Sequence, residues 1–344
     1  MVAFVINMSY NPERSLGQWS HFNHNRSGEN KSMKMTKKKI ALGVAIIVAA
    51  WAMWSVLKPA PAEAAEITMN GSVNYRIGND ENASGKEILK AEDNGSSIGV
   101  SITDDITDGI RGFAHVEVSV DTDDSGSSPF DSKLAYAGVE GSVGKVQAGR
   151  MDSVFKGAVT SKTDVFPEYG AGASQKLYSR DSHLVQYSTS LAGINFDTQI
   201  KVDGSTGKDG VDVFETAATM PIGGANIGVA MTDDKVNEVK YYGVGVTVPL
   251  SANTNVNFAH TEKDFVAAAS TDVTANEITV DHTIDATTFA VGYGEIENGT
   301  KYTTAGVSHS VTESFSVYAG YEFADKTGAS VDTTGMSAGL KFKF

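Results

Sequence analysis

Apolar and polar residues alternate with a period of two along most of the chain after residue 65. In residues 67–77 the odd positions are mainly apolar and the even positions carry Thr, Asn, Ser and Arg. The same alternation recurs in residues 194–202 and 314–323. A period of two predicts β-strands with one apolar face and one polar face.

Sixteen segments of this kind can be delimited. They are residues 66–77, 96–104, 108–121, 132–141, 143–151, 182–190, 193–203, 211–220, 224–233, 236–249, 253–263, 275–284, 286–296, 300–310, 313–325 and 332–343. Short turns tend to alternate with longer polar loops between them. The pattern predicts an all-β fold, a transmembrane antiparallel β-barrel of about 16 strands with short periplasmic turns. A soluble β-sandwich is the alternative, because its strands also alternate.

Aromatic residues on the apolar face favour the barrel. One group follows the short turns and a second lies toward the longer loops, as two interfacial belts would require. These residues are Phe196, Phe289 and Phe315, and then Tyr75, Tyr293, Tyr321 and Phe323. A barrel also needs its first and last strands to pair, since an open edge in hydrocarbon leaves backbone groups unsatisfied. We therefore expect residues 67–77 to pair with residues 333–343.

The N-terminal region has the composition of an export signal. Lys37 to Lys39 precede an apolar run over residues 40–57, and Ala62-Glu-Ala64 ends a small-residue segment. We assign residues 35–64 to a signal peptide cleaved after Ala64, with an uncleaved anchor helix as the alternative. Residues 1–34 are interpreted as a misassigned start or a leader, and residues 65–344 as the barrel. These assignments predict a Gram-negative outer-membrane location.

Charge and composition narrow the function classes. The chain has 35 Gly, 7 Pro and no Cys, which suits many strands with tight turns and excludes a disulfide scaffold and thiolate metal sites. Without residues 1–64, 20 basic and 39 acidic side chains remain, a formal net charge of −19. That balance argues against nucleic-acid binding and favours cationic or neutral small partners.

The connection over residues 152–181 is the longest, and a loop of this length in a compact protein is usually functional. It carries Asp164, Glu168 and a Gly-rich segment around Gly170. Acids on such a loop opposite arginines on a wall would set up a field across a narrow aperture. Ordinary solvated loop carboxylates are the alternative.

Strand parity assigns further residues to the lumen. Arg111, His115 and Glu117 share one parity, and Arg76 lies on the polar face of the first strand. Arg150 shares the parity of the apolar face, so that a bulge or the start of the loop would have to redirect it.

Several segments resemble the trimeric Gram-negative general diffusion porins. Residues 134–152 resemble the hairpin that leads into the constriction loop of those porins, and residues 164–170 resemble part of that loop. Residues 93–99, 108–117 and 178–187 resemble three further porin segments in the same order. The resemblance implies a sixteen-stranded, trimeric barrel whose third loop folds inward.

The resemblance also implies roles for individual residues. Asp164 and Glu168 would be the loop acids, and Arg150 and Arg180 the bases of the wall. The sequence departs from the family at Ser97, where many relatives place another pore arginine. A thinner basic wall and the acidic net charge predict a modest cation preference.

The predicted function is therefore passive diffusion of small hydrophilic solutes and ions through a water-filled homotrimeric channel in outer-membrane lipid. An adhesin or structural barrel is one alternative. A hydrolase barrel is the other, but the histidines are scattered and no nucleophile-elbow motif is present. Residues 121–126 resemble the start of a calcium loop, yet the twelfth position is Ser132 rather than Glu. We expect no enzymatic activity, cofactor or metal.

Overall fold

The computed structural model describes residues 65–81, 85–123, 128–170, 172–204, 210–266, 271–326 and 332–344. The assignments made for residues 1–64 lie outside the described residues and stay predictions.

The described part of the chain forms seventeen β-strands, one α-helix and one 3-10 turn. In chain order they are β1 Glu66–Glu81, β2 Glu87–Asp93, β3 Ser97–Thr107, β4 Ile110–Val120, β5 Phe130–Gly141, β6 Gly144–Asp152, α1 Val154–Ala158, the 3-10 turn Thr160–Lys162, β7 Arg180–Leu191, β8 Ile194–Lys201, β9 Val213–Ile222, β10 Ala225–Asp234, β11 Val239–Ser251, β12 Thr254–Phe265, β13 Val273–Ile284, β14 Thr287–Ile296, β15 Lys301–Ser310, β16 Phe315–Asp325 and β17 Thr333–Lys343.

The strands close into an antiparallel barrel. From β3 onward each strand pairs with the next in the chain, and β17 returns to β1 with Ser72 opposite Lys343 and Asp80 opposite Gly335. The backbones of Gly71 and Phe344 exchange two further hydrogen bonds of 2.9 and 3.1 Å. The predicted pairing of the first and last strands is confirmed, and closure excludes the sandwich.

Sixteen barrel positions result because β2 and β3 share one. Strand β3 pairs with residues 66–72 of β1, and β2 pairs with residues 75–81 of the same strand. The predicted barrel of about sixteen strands is therefore confirmed, and each of the sixteen predicted segments corresponds to a strand. β2 was not predicted, because Ile88 and Leu89 are adjacent apolar residues and break the period of two.

One short helix, α1, interrupts the predicted all-β fold directly after β6. This helix has only five residues, too few to show a helical period. Its start is nevertheless capped, since the Ser153 side chain accepts a hydrogen bond from the Lys156 amide at 3.2 Å.

The two faces of the barrel differ as the alternation predicts. Apolar side chains such as Ile278 and Phe342 are exposed on the outer face, whereas Thr232, Thr261 and Thr304 are fully buried on the inner one. The exposed aromatic residues on the outer face include Phe196, Phe289, Tyr293, Tyr321 and Phe323 from the two predicted belts. No helix among the described residues is long and apolar enough to cross a membrane.

Candidate functional site

The connection between β6 and β7, residues 153–179, folds into the barrel and is called loop 3 below. Its first part is the most deeply buried apolar segment of the described chain, since Phe155 and Val159 have no exposed surface. Ser153 donates a hydrogen bond of 2.8 Å to Glu215 of β9. The loop therefore begins by packing against the inner face of β9 to β11.

A series of glycines on the inner wall, called the glycine track, marks the path of the loop. Its members are Gly228, Gly243, Gly245, Gly292, Gly306, Gly320 and Gly335, which lie on six strands from β10 to β17. A Cβ at Gly228 would lie 1.9 Å from the carbonyl oxygen of Ala158, and one at Gly292 would lie 2.9 Å from the Phe166 ring. The loop backbone and its aromatic rings occupy the space that side chains would otherwise take.

Glu277 of β13 anchors the middle of loop 3. Its carboxylate is 2% exposed and accepts hydrogen bonds from the Ala173 amide at 2.9 Å, Thr163 Oγ1 at 2.6 Å and Ser174 Oγ at 2.5 Å. Tyr302 also donates to it. Hydrogen bonds to a charged acceptor are each worth about 1.5–3 kcal/mol, so this carboxylate is a main attachment of the loop.

Two more wall groups complete the attachment. Glu322 of β16 accepts a bond of 2.9 Å from the Gly170 amide, and Thr261 of β12 accepts one of 2.7 Å from the Gln175 amide. Loop 3 thus crosses the inner wall and is bonded to it at its start, middle and tip.

The tip of the loop meets the first strand at Arg76. Glu168 Oε1 lies 3.1 Å from Arg76 Nη1, and both side chains are only 12% exposed. Arg76 also pairs with Asp80 at 2.9 Å and with Glu92, while its guanidinium lies 5.8 Å from the centre of the Tyr169 ring. The Tyr169 hydroxyl donates to Asp80 at 2.6 Å. One arginine thus faces three carboxylates.

This acidic excess affects Glu168. Burial raises the pKa of the Glu168 carboxyl above its usual range; the Arg76 charge opposes that rise, whereas Asp80 and Glu92 add to it. Glu168 Oε2 is buried without a hydrogen-bond partner among the described residues. Glu168 therefore loses its charge at a higher pH than an ordinary glutamate does.

The other predicted members of the constriction are placed differently. Asp164 is exposed, makes no ion pair with the described residues and has Lys176 as an electrostatic neighbour. Arg180 binds Asp152 at 3.0 Å where the loop begins and ends. The structure thus brings Glu168 to Arg76, and does not pair either loop acid with Arg180.

Arg150 stays on the outer-face parity of β6, beside an irregularity between Gly149 and Met151. Its guanidinium donates to Ser132 O at 3.0 Å and to Ser182 Oγ at 3.2 Å, with no ion pair among the described residues. The bulge lies next to Arg150 but does not bring it to a loop acid.

The remaining predicted lumen residues lie on β4. Arg111, near a short turn, is 55% exposed and lies 3.4 Å from Glu140. His115 Nδ1 shares a hydrogen bond of 2.8 Å with Ser101, and its Nε2 lies 3.8 Å from Glu117.

Lys133 is a lumen base that the sequence did not predict. It lies at a β-bulge in β5, where the register with β4 shifts, and its Nζ is 2.7 Å from Glu117 and 3.3 Å from Ser97 Oγ. Lys133 therefore supplies positive charge beside Ser97 of β3, although it lies on β5, two strands away. Simple parity places Lys133 on the outer face, and only the bulge redirects it.

Comparisons with known proteins agree with this architecture. A family model described as Gram-negative porin matches residues 44–340. No curated protein sequence matches the chain. No group of three or more His, Cys, Asp or Glu in the described segments could hold a metal ion.

Several solved structures are similar. The anion-selective porin from Comamonas acidovorans gives a TM-score of 0.69 at 16% identity, covering 81% of this chain and 100% of that one. OmpT of Vibrio cholerae in its trimer form gives 0.67 at 13% identity, covering 82% and 100%. Salmonella typhi OmpF in complex with daunomycin gives 0.65 at 16% identity, covering 81% and 97%. At these identities the structures establish the fold, while the family model covers most of the chain. This chain belongs to the Gram-negative porin family and is a porin of the outer membrane.

Proposed function

We propose that the barrel is a water-filled channel for passive diffusion of small hydrophilic solutes and ions, narrowed by loop 3. The observation that carries the proposal is the attachment of loop 3 across the inner wall, with its charged tip at Arg76. A loop held in this way narrows the pore without blocking it.

The charges on loop 3 and on the wall beside its tip give the aperture its selectivity. Asp164 is exposed and free of ion pairs among the described residues, whereas Arg76 is neutralised by Glu168, Asp80 and Glu92. Fixed charge in a partly desolvated aperture acts strongly, because the local dielectric is low. The acidic excess and the net charge of −19 outside residues 1–64 support a modest cation preference.

Reversal potentials in a salt gradient test this function. The purified protein in a planar bilayer should form open, ohmic channels that pass potassium somewhat better than chloride. A channel that prefers chloride would mean that Arg76, Lys133 and the other wall bases dominate over the acids. Failure of the folded protein to conduct would refute the channel itself.

The active form is proposed to be a homotrimer embedded in outer-membrane lipid, with small hydrophilic solutes and ions as its passing partners. Support comes from the family and from the trimer form of the similar Vibrio cholerae OmpT. Light scattering on the detergent-solubilised complex should give the mass of three chains. Single-channel recordings should show conductance steps in groups of three.

We also propose that the barrel is not an enzyme. Ser101, His115 and Glu117 come together in the lumen, but the geometry is poor for a catalytic triad. The Nε2 of His115 is 3.8 Å from Glu117, beyond hydrogen-bond range, and Glu117 is instead held by Lys133 at 2.7 Å. Ser101 lies within the β3 ladder, so its own backbone offers no free amide for an oxyanion hole.

A further inference from the structure

A part of the lumen wall between loop 3 and the short turns carries aromatic side chains. One row of directly paired residues across β4 to β9 shows which face of the sheet these side chains occupy. The row ends at Glu215, which is hydrogen-bonded to Ser153 of loop 3. Because residues in a row share a face of the sheet, all its members face the lumen. The row consists of Phe113, Gly138, Gln147, Gln186, Gln199 and Glu215.

The aromatic rings form a small platform on this wall. Phe113 and Tyr136 pack edge to face with ring centres 6.4 Å apart, and the ring of His115 lies 5.5 Å from that of Tyr136. Gly138 leaves room for the platform, since a Cβ there would lie 2.6 Å from Phe113 Cζ. Apolar rings facing a water-filled lumen have no role in the core or in lipid contact, so they offer surface to a solute.

Lys145 places an unpaired positive charge beside these rings. Its Nζ lies 5.6 Å from the centre of the Phe113 ring, and it makes no ion pair within the part of the chain that the structure describes. Other lumen bases, including Arg111, Lys133 and Arg180, each have a carboxylate within 4.0 Å. Glu140, which is directly opposite Lys145 in the β5–β6 ladder, is paired with Arg111, so the ammonium of Lys145 can bind an anionic group.

Three cavities meet at Lys145. The largest, of about 1030 Å³, opens toward the short turns, a second of about 400 Å³ lies beneath α1, and a third of about 220 Å³ lies against His115. The second also reaches Tyr136, Gln186 and Asp197, and the third is lined by Phe113 as well as by Tyr136 and Lys145. The volume of the second cavity is within the range of roughly 300–1,000 Å³ that is usual for small-molecule sites.

Polar side chains line the first two of these cavities. Gln186 Nε2 donates to Ser188 Oγ at 3.0 Å, and Ser188 donates to Asp197 at 2.5 Å. Amide and carboxylate groups of this kind exchange hydrogen bonds readily with the hydroxyls of a solute. A few such groups beside an apolar platform are typical of a ligand site.

We propose that this wall is a binding subsite for a sugar acid, a pyranose that carries a carboxylate, and we name it the wall subsite. The carboxylate pairs with Lys145, the C–H face of the pyranose lies on Phe113 and Tyr136, and hydroxyls bond to Gln186 and Asp197. Asp197 repels the carboxylate and so fixes the orientation of the ring. The inference rests on the proposed channel, because the solute reaches the subsite through the lumen.

Equilibrium binding to the full protein in detergent tests the subsite. Glucuronate is titrated by calorimetry, with saturation-transfer NMR to locate the bound face, and glucose and acetate are the comparison solutes. We expect glucuronate to bind more tightly than either one, because each of them lacks one of the two contacts. Lys145→Gln should weaken glucuronate about fivefold, the value of a partly exposed ion pair. Phe113→Leu should weaken it by a similar factor, about fivefold, through loss of the ring.

Two further variants keep the result specific. Lys145→Arg retains the charge and should retain binding. Lys263→Gln is the matched control, because Lys263 also stands over an aromatic ring, 4.6 Å from the centre of Phe265, but lines none of the three cavities. It should bind glucuronate like the unmodified protein.

The outcomes separate the subsite from the channel. Conduction with no saturable glucuronate binding at the highest soluble concentration would overturn the subsite and leave the channel intact. Equal weakening of glucuronate binding by Lys145→Gln and Lys263→Gln would also overturn it, since binding would then depend on the total charge of the lumen and not on the position of Lys145. Calorimetry does not depend on conduction, so the titration would show whether the wall binds the sugar acid even if the protein did not conduct.

Discussion

Gly228→Ala should displace the beginning of loop 3 and narrow the pore. The new Cβ would lie 1.9 Å from the Ala158 carbonyl oxygen, whereas Cβ contacts under 3.0 Å essentially do not occur. The loop and the wall must therefore separate by about 1.1 Å, because neither backbone can be compressed.

Two responses to this substitution are open, and their costs decide between them. Forcing a methyl group into a packed interior costs about 1–3 kcal/mol. Detaching the segment would expose Phe155 and Val159, which are fully buried, at about 1.5–3 kcal/mol for each side chain. The smaller cost favours a shifted but attached loop. Since the wall is fixed by its hydrogen-bonded ladder, α1 moves toward the pore axis.

Single-channel conductance at constant salt measures the displacement. Gly228→Ala should give a lower mean conductance than the unmodified channel, with the barrel still folded by circular dichroism. Gly157→Ala is the control, because Gly157 lies on the same helix and a Cβ there meets nothing within 4 Å. Unaltered conductance of Gly228→Ala would show that the packing of α1 on β10 does not position loop 3.

The remaining predictions concern the acids of loop 3 and the length of the loop. Replacing Asp164 and Glu168 together with amides should change conductance little and shift the reversal potential in the direction of anion selectivity. An unchanged reversal potential would show that these two acids do not contribute to ion selectivity. Burial raises the pKa of Glu168, so its charge is present above that raised value and lost as pH falls through it. The cation preference should therefore decrease on mild acidification, and less so in Glu168→Gln. Deleting residues 162–173 should admit bulkier sugars in a liposome-swelling assay, and an unchanged size limit in a folded barrel would contradict the role of loop 3.

The strands were predictable because alternation is a local property of the sequence. Every barrel strand must present one face to lipid and one to water, so residues 67–77 and 194–202 carry their own signal. β2 pairs only with the distal part of β1, and its sequence does not alternate. No rule of patterning could have found it.

The candidate site was harder to predict, because its contacts join residues distant in the chain. The acid Glu168 was predicted, but its partner Arg76 lies on the first strand and meets it only after loop 3 has crossed the lumen. Lys133 was missed because a bulge reverses its parity. Sequence periodicity identifies a face, whereas pairing across the lumen depends on the course of the loop.

The glycine track has a consequence for engineering this barrel. The spacing of its glycines is fixed by the strands, so the loop must present Ala158, Phe166 and Tyr169 at matching intervals. A single-residue insertion before Phe166 would carry that ring off Gly292 and onto a wall position with a side chain. A constriction loop transplanted from another porin would therefore clash unless the recipient wall supplied glycines at the donor's spacing. Loop and wall are a matched pair, and pore size can be redesigned only by exchanging both together.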